Sequence, residues 1–330
     1  MRLARIMAGV SASVQGAGPV ERVRETPRYP DFFIVGAPRS GTTFMYEYLR
    51  LHPQIFMSPA KEPQHFATDL DSGSYLDSVT FLRDRRRYLE LFAAARPDQL
   101  LGEGSTWYLY SQAAAGNIQA VRPDARIVIM LRDPVEMLYS LHGRRVYGGS
   151  EDLASFEEAL AAEEDRKQGR RMPARPRNVK ALFYREVARY HEQVKRYLDI
   201  FGQGQVHVII FDDFRADPAG MYRGLLEFLG VDASFNPDFR VINESAERRS
   251  WRVQQLLLSP RVVRLARAII PLRFRPAVGR AWDALNSKGK SRQPLSDDVA
   301  AALYSDLRDD IDQLGQLIGR DLLKLWGRSA

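Results

Sequence analysis

The segment from Asp31 to Arg50, DFFIVGAPRSGTTFMYEYLR, constrains the fold more than any other part of the chain. An apolar run over 32–35 precedes a loop with glycines at 36 and 41, after which apolar residues recur at helical spacing. This order predicts a buried strand, a tight turn and a helix. Such a junction directs backbone N–H groups and the positive end of a helix dipole at one point, which is how proteins bind phosphate or sulfate groups.

The loop resembles a Walker A motif, GxxxxGK[ST], but departs from it at the lysine position. Gly36 and Gly41 occupy the two glycine positions, whereas Thr42 stands in place of the lysine and Thr43 follows it. An NTPase uses that lysine to neutralise the β- and γ-phosphates, so its replacement argues against ordinary ATP hydrolysis. Arg39 supplies a cation elsewhere in the loop. For the loop taken alone, a strand-to-helix turn without a ligand stays an alternative.

Composition narrows the class of protein. With 330 residues, 45% of them apolar, the chain is long enough for a large α/β domain. The formal charge of +7 favours anionic ligands, but no nucleic-acid-binding module is visible, so we expect no nucleic-acid partner. The absence of cysteine excludes disulfides and thiolate catalysis, and a cytoplasmic location is expected. No segment approaches the ~20 apolar residues that a transmembrane helix needs.

Apolar strand patterns alternate with helical patterns along the chain. Strands are expected near residues 32–35, 127–131 and 205–211, and a short strand followed by a loop is expected within 100–110. Helices are expected over residues 81–95, 153–164, 184–201, 218–229 and 296–326. The alternation predicts an α/β fold with a single domain at residues 30–330, in which a mainly parallel central sheet is flanked by helices, as in P-loop nucleotide-binding proteins. Residues 1–29 are expected to form a flexible N-terminal extension, with a targeting role as the alternative.

A carboxylate lies beside a lysine in the tract SPAKEPQHF. Pro63 disfavours a helical conformation at Glu62, so this tract is predicted to be a loop that presents its side chains. Glu62 is a candidate general base, and a solvated surface pair with Lys61 is the alternative. Further polar side chains lie near the end of the short strand predicted within 100–110, where open α/β sheets bind ligands: Glu103, Ser105 and Tyr108.

A second candidate anion site follows the apolar run at 127–131. Arg132 comes directly after this run, Pro134 stands where a first helical residue is tolerated, and Ser140 lies about two helical turns further on. Arg132 and Ser140 could therefore hold a second phosphate beside the first loop. The alternative is an arginine paired with Asp133 and a serine with no ligand.

Three charged segments have less specific interpretations. Residues 163–178 are charged and interrupted by prolines, so we expect a mobile loop that acts as a lid. The arginines at positions 83, 85, 86 and 87 are interpreted as a solvated helix face. Residues 248–280 carry nine arginines and no acidic residue, which favours a packed helix pair with a basic outer face over contact with a membrane surface or an acidic substrate.

Four segments together make the chain similar to PAPS-dependent sulfotransferases, in particular to the branch that includes bacterial enzymes and the heparan sulfate sulfotransferases. PRSGTT at 38–43 resembles the 5′-phosphosulfate loop, and RDPVEMLYS at 132–140 has the spacing of the 3′-phosphate site. KEP at 61–63 and SKGK at 287–290 resemble the acceptor-side tract and the C-terminal cofactor loop.

The resemblance implies a set of site residues and no metal. PAPS-binding residues would be Arg39, Ser40, Gly41, Thr42, Thr43, Arg132, Ser140, Ser287, Lys288, Gly289 and Lys290. Arg39 stands where many members carry lysine, so its role is expected to be electrostatic, with Lys288 as a second cation on the leaving group. Glu62 would be the base, with His65 and His142 as other candidates. The branch typically reads KEPHFF, whereas KEPQHF here displaces His65 by one position.

The predicted function is sulfuryl transfer from PAPS to a hydroxyl group on a carbohydrate, glycolipid or other small metabolite. Acceptor specificity is expected to lie in the loops at 69–80 and 163–180. One alternative is a P-loop nucleotide or sugar kinase. Another is a non-catalytic nucleotide-binding or membrane-associated module that uses the basic region at 248–280 for peripheral membrane contact. The lack of a flanking cysteine pair and of a membrane anchor fits a cytosolic, bacterial-type enzyme.

Overall fold

A parallel sheet of five strands organises the part of the chain that the computed structural model describes, which is residues 28–71, 81–174, 176, 178–239, 247–248, 287–288 and 294–327. The strands are β1 (Phe32–Gly36), β2 (Ile55–Met57), β3 (Leu100–Gly104), β4 (Arg126–Leu131) and β5 (Val206–Ile210). Their order across the sheet is β2-β3-β1-β4-β5. All four pairings are parallel, so the predicted α/β fold is confirmed.

Helices cover both faces of this sheet. Those before β5 are α1 (Thr42–Leu51), α2 (Arg85–Glu90), α3 (Ala114–Val121), α4 (Pro134–Gly148), α5 (Phe156–Ala161), α6 (Glu163–Lys167), α7 (Tyr184–Ala188) and α8 (Tyr190–Phe201). After β5 come α9 (Phe211–Ala216), α10 (Pro218–Leu229), α11 (Asp297–Ile318) and α12 (Leu322–Trp326). Short 3₁₀ helices lie at Thr68–Leu70, Val179–Leu182 and Gln203–Gln205, and β6 (Glu247–Arg248) pairs antiparallel with β7 (Ser287–Lys288). No helix of the described ranges is long and apolar enough to span a bilayer.

Burial of β1 on both faces explains its uninterrupted apolar run. Phe33 and Val35 pack into one hydrophobic cluster with α3, α4 and α8, whereas Phe32 and Ile34 pack into a second cluster with α1 and α10. None of these four side chains is more than 1% exposed. A parallel strand between two layers of helices needs apolar residues at every position, because neither face meets water.

Two helices, α4 and α11, begin close to where the sequence predicted them. The Asp133 carboxylate accepts hydrogen bonds from the backbone N–H groups of Val135 and Glu136 at the start of α4, with Pro134 as the first helical residue. Ser296 caps α11 through the N–H of Val299. These contacts satisfy amides that have no partner within the helix, and they fix the direction in which α4 leaves β4.

Three helix predictions were too long. The pattern at 81–95 forms helix only at Arg85–Glu90, the segment at 153–164 divides between α5 and α6, and the one at 184–201 divides between α7 and α8. The last division lies at Arg189, whose φ of −77° and ψ of 90° are not helical. The Asp310 carboxylate of α11 then accepts from the N–H groups of Tyr190 and His191, which begins a new helix.

The prediction of a mobile loop from residue 163 was wrong for its first part. Residues 163–167 form α6, and the side chain of Arg166 is fully enclosed. Its guanidinium donates two hydrogen bonds to the Glu151 carboxylate, at 2.6 and 2.7 Å, and the Tyr184 hydroxyl donates a third at 2.9 Å. A buried charge pair of this geometry holds the segment in place, since separating it would leave an uncompensated charge.

Several predictions fall outside the described residues. They concern the N-terminal extension up to residue 27, most of the loop at 69–80, and nearly all of the basic region at 248–280. They stay predictions.

Substitution of Gly102 tests how tightly β3 packs against β1 and β2. A methyl group there would overlap the ring of Phe32 on β1 and lie 2.5 Å from Met57 Sδ on β2. We expect Gly102→Ala to lower the free energy of unfolding by about 1–3 kcal/mol, the usual cost of overpacking a core. Gly116→Ala is the matched control, because a Cβ on that residue of α3 meets nothing within 4 Å. It should stabilise the helix by about 0.5–1 kcal/mol. Urea denaturation measures both, and equal midpoints for the two variants would contradict this packing.

Candidate functional site

The loop that was predicted to bind an anion lies between β1 and α1. Gly41 adopts a φ of +85°, and a Cβ there would lie 2.8 Å from the Phe211 ring, so both conformation and space require glycine. Helix α1 begins at Thr42 with no acidic residue in its first turn and no side-chain cap. Its first N–H groups have no partner within the helix, so they and the helix dipole provide a site for an anion.

Two cations and a hydroxyl group meet at the ends of β1 and β4. Arg39 Nε donates a hydrogen bond to Ser140 Oγ at 2.9 Å, although the two residues are 101 positions apart. Arg132 Nη1 lies 3.5 Å from the carbonyl oxygen of Arg39, and Arg132 Nη2 donates to the Glu136 carboxylate at 2.7 Å. The Arg132 guanidinium also lies 5.1 Å from the centre of the Phe211 ring. The structure therefore brings together Arg39, Arg132 and Ser140 of the two predicted phosphate sites, and pairs Arg132 with Glu136 rather than with Asp133.

Glu62 lies across the end of β3 in a fixed position. Its backbone N–H donates to the carbonyl of Gly104 at 2.9 Å. Its carboxylate accepts from Lys61 Nζ at 2.6 Å, Gln64 Nε2 at 2.7 Å and the N–H of Thr106 at 2.8 Å. The Thr106 hydroxyl adds a contact at 3.0 Å, while a third of the Glu62 side chain stays exposed. Four donors orient this carboxylate, so it is not the solvated surface pair that the sequence left open.

Both candidate histidines bind backbone carbonyls. His65 Nδ1 lies 2.6 Å from the carbonyl of Leu82, and its ring stacks on Tyr88 at 4.0 Å. Burial lowers the pKa of His65, which favours the neutral ring. His142 Nε2 lies 2.9 Å from the carbonyl of Leu153, and only 1% of the residue is exposed. These contacts place the two rings in packed surroundings rather than beside Glu62.

The C-terminal cofactor loop is described only in part. The backbone of Ser287 and Lys288 forms β7, in register with Arg248 and Glu247 of β6. Gly289 and Lys290 lie outside the described residues. The predicted roles of all four stay predictions.

Arg83 was misread as part of a solvated helix face. Its Nη1 donates to the carbonyls of Gln64 and His65, and its Nη2 donates to the carbonyl of Ala67. The same guanidinium pairs with the Asp71 carboxylate. One side chain thus ties down the backbone of the tract that follows Glu62. Nothing in the local sequence distinguished Arg83 from the neighbouring arginines, because its partners lie 12 to 19 positions away.

A buried carboxyl group lies directly beneath this tract. Glu103, at the end of β3, has no exposed surface, and its Oε2 accepts from the Tyr88 hydroxyl at 2.8 Å and the Tyr108 hydroxyl at 2.9 Å. Burial raises the pKa of Glu103 to about 7, while contacts with Ser105, Tyr88 and Tyr108 oppose this rise and the charge of Glu62 adds to it. Enclosure therefore disfavours the charged form of Glu103 relative to a carboxyl group in water.

Comparisons with known proteins agree with this geometry. The model of the sulfotransferase family matches residues 30–236. A solved sulfotransferase from Alicyclobacillus acidocaldarius is 30% identical, superposes with a TM-score of 0.69, and aligns over 91% of this chain and 99% of that one.

The chain is also similar to curated proteins that are named as carbohydrate and heparan sulfate sulfotransferases. Human carbohydrate sulfotransferase 15 is 34% identical over 34% of this chain and 26% of its own length. Human bifunctional heparan sulfate N-deacetylase/N-sulfotransferase 3 is 27% identical over 63% of this chain and 23% of its own. The chain spans about a quarter of the length of these curated relatives. On the extent of the family match and of the structural match, the chain belongs to the sulfotransferase family.

Proposed function

We propose that this protein transfers a sulfuryl group from PAPS to a hydroxyl group of a carbohydrate, a glycolipid or a small metabolite. The observation that carries the proposal is the meeting of Arg39, Arg132 and Ser140 beside the α1 cradle, with the oriented carboxylate of Glu62 at the same edge of the sheet. The kinship to carbohydrate and heparan sulfate sulfotransferases favours a glycan as the acceptor.

The charges of the site fit a donor with two separate anionic groups. When bound, PAPS supplies the sulfuryl group at its 5′ end and a leaving phosphate. The N–H groups at the start of α1, together with Arg39, would hold the 5′-phosphosulfate. Arg132 and Ser140 would hold the 3′-phosphate, for which Arg132 must turn part of its guanidinium away from Glu136.

Arg39 would stabilise the charge that develops at the leaving oxygens. A guanidinium cannot give up its proton at neutral pH, so its contribution is electrostatic. Its backbone φ of 62° and its bond to Ser140 fix the side chain before any ligand arrives. Preorganised cations of this kind lower the barrier because they need not reorganise as charge moves. Lys288 stays a proposed second cation.

Glu62 would take the proton from the acceptor hydroxyl. Gln64 and Thr106 donate to both sides of its carboxylate, which sets the direction of the remaining lone pairs. The exposed third of the side chain leaves room for a hydroxyl group to approach. A base must lie within hydrogen-bond reach of the proton it removes, and the packing of His65 and His142 against backbone carbonyls makes them weaker candidates.

The alternative of a P-loop kinase is disfavoured by Thr42 at the position of the Walker lysine. The cytoplasmic location, the domain limits of 30–330 and peripheral membrane contact by the basic region stay predictions.

The nucleotide is tested by thermal stabilisation. We expect PAP, the desulfated product, to raise the melting temperature without magnesium, because two anion sites bind its 3′- and 5′-phosphates. ATP with magnesium should raise the melting temperature much less, since it lacks the 3′-phosphate. Differential scanning fluorimetry at matched concentrations measures both. Equal shifts would refute PAPS as the donor and revive the kinase alternative.

The 3′-phosphate site is tested by Arg132→Ala. Loss of a charged hydrogen-bonding partner is worth about 1.5–3 kcal/mol, so the Kd for PAP should rise by roughly 10- to 150-fold. The Kd of Arg132→Lys for PAP should lie between those of the wild type and Arg132→Ala, because lysine keeps the charge but not the two-pronged set of donors. Arg86→Ala is the control, since that side chain is 90% exposed on α2. Isothermal titration with PAP measures each Kd, and unchanged affinity in Arg132→Ala would contradict the assignment.

The base is tested by Glu62→Gln. The amide cannot accept the proton, so turnover should fall by about 10² to 10⁴ while the Kd for PAP stays within twofold of the wild-type value. Transfer of labelled sulfate from PAPS to desulfated chondroitin, heparosan and nitrophenyl glycosides measures turnover. Glu90→Gln, an exposed glutamate on α2, is the matched control. Wild-type turnover by Glu62→Gln would move the role to a histidine.

A further inference from the structure

The tract that follows Glu62 rests on hydroxyl groups. The N–H of Gln64 donates to Ser105 Oγ at 3.0 Å, and the N–H of Phe66 donates to the Tyr108 hydroxyl at 3.3 Å. Between them, the ring of His65 stacks on Tyr88 with an angle of 8° between the planes. Three consecutive residues, 64–66, are thus supported by three side chains from elsewhere in the fold.

Two of the three supporting side chains converge on Glu103: the hydroxyls of Tyr88 and Tyr108 both donate to its Oε2. Glu103, Ser105, Tyr88 and Tyr108 have no exposed surface, so this cluster is closed to water. The Tyr108 hydroxyl accepts from the backbone N–H of Phe66 and must point its own proton elsewhere, and here Glu103 is the acceptor.

We propose that Glu103 is a positioning residue: its enclosed carboxyl group orients Tyr88 and Tyr108, which hold residues 65 and 66 beside the Gln64 amide held by Ser105 of the same cluster, and thereby aims Glu62 at the acceptor. The link to Glu62 is short. Gln64, whose N–H rests on Ser105, donates its Nε2 to Glu62 Oε2 at 2.7 Å. Thr106, the next residue after Ser105, donates both its N–H and its hydroxyl to the same carboxylate. The catalytic half of this inference rests on the proposed role of Glu62.

The contacts distinguish this role from that of a generic buried acid. Arg83 fixes the carbonyl oxygens of residues 64, 65 and 67, whereas the Glu103 cluster fixes the N–H groups of residues 64 and 66. The tract is therefore held from both sides of its backbone. Replacement of Glu103 should loosen the amide side without disturbing the carbonyl contacts.

Glu103→Met tests the inference, because methionine fills a similar volume and offers no comparable acceptor. We expect amide hydrogen exchange at residues 64–66 to accelerate at least tenfold and turnover of PAPS with the glycan panel to fall at least tenfold. The Kd for PAP should stay within twofold, since the cluster touches neither Arg39 nor Arg132. Glu103→Gln keeps an acceptor oxygen for the two tyrosines and should restore most of both properties.

The control is Tyr222→Phe. It removes an equally buried hydroxyl that donates to the carbonyl of Tyr48, in the cluster on the other face of the sheet. It should change neither the exchange at 64–66 nor turnover. If Glu103→Met does not fold, which failure to bind PAP would indicate, Tyr108→Phe is the less disruptive variant. It removes the acceptor of the Phe66 amide and should accelerate hydrogen exchange of that amide in the same way.

The outcomes separate this inference from the function proposed above. Two results would overturn the positioning role and leave Glu62 as the base. One is normal amide exchange at residues 64–66 in Glu103→Met. The other is fast exchange with undiminished turnover in Glu103→Met while Glu62→Gln is inactive. Wild-type turnover by Glu62→Gln would overturn the base itself, and with it the catalytic purpose of Glu103. Faster exchange with lower turnover and unchanged PAP affinity would support the inference.

Discussion

The site depends on the parallel pairing of β1 with β3 on one side and β4 on the other. Phe32 is in register with Gly102 and with Arg126, so the carboxyl ends of all three strands reach the same edge of the sheet. The chain moves from β1 to β2 and β3 on one flank and then crosses to β4 and β5 on the other. This reversal opens a crevice between the loops after β1 and β4, which is where open α/β sheets bind ligands. Arg39 and Ser140 meet across that crevice.

The same topology places different charged groups on the two flanks of the α1 cradle. Two arginines lie toward β4, where Arg39 and Arg132 are 93 positions apart in sequence yet in contact. The oriented carboxylate lies toward β3, where Glu62 is bound to the backbone of Gly104 and Thr106 and accepts from Lys61 Nζ. For sulfuryl transfer, such a division would place the donor's phosphates beside the arginines and the acceptor's proton beside the carboxylate.

Sequence predicted the parts of the site that depend on local chemistry. The turn between β1 and α1 followed from Gly36 and Gly41, and the start of α4 from Pro134, because backbone conformation acts within a few residues. Contacts between distant side chains were not predictable in the same way. Arg83 reaches the Glu62 tract, and Arg166 reaches Glu151, through pairs that leave no periodic signal in the chain. Helix limits failed for a related reason, since Asp310 on α11 decides where α8 begins.

Glu103 shows how stability and function can compete at one position. An isolated carboxyl group is expensive to bury, and the raised pKa records that cost as resistance to ionisation. Apolar residues of similar volume often stabilise a core more than buried polar groups do. An apolar side chain, however, would leave the hydroxyls of Tyr88 and Tyr108 without their shared acceptor, and each would then compete for other partners. The carboxyl group removes that ambiguity: it gives the Tyr88 and Tyr108 hydroxyls one direction each, and through Tyr108 it gives the amide of Phe66 one acceptor. In this fold, burying Glu103 costs free energy, and in return the loop that carries Glu62 adopts a single conformation.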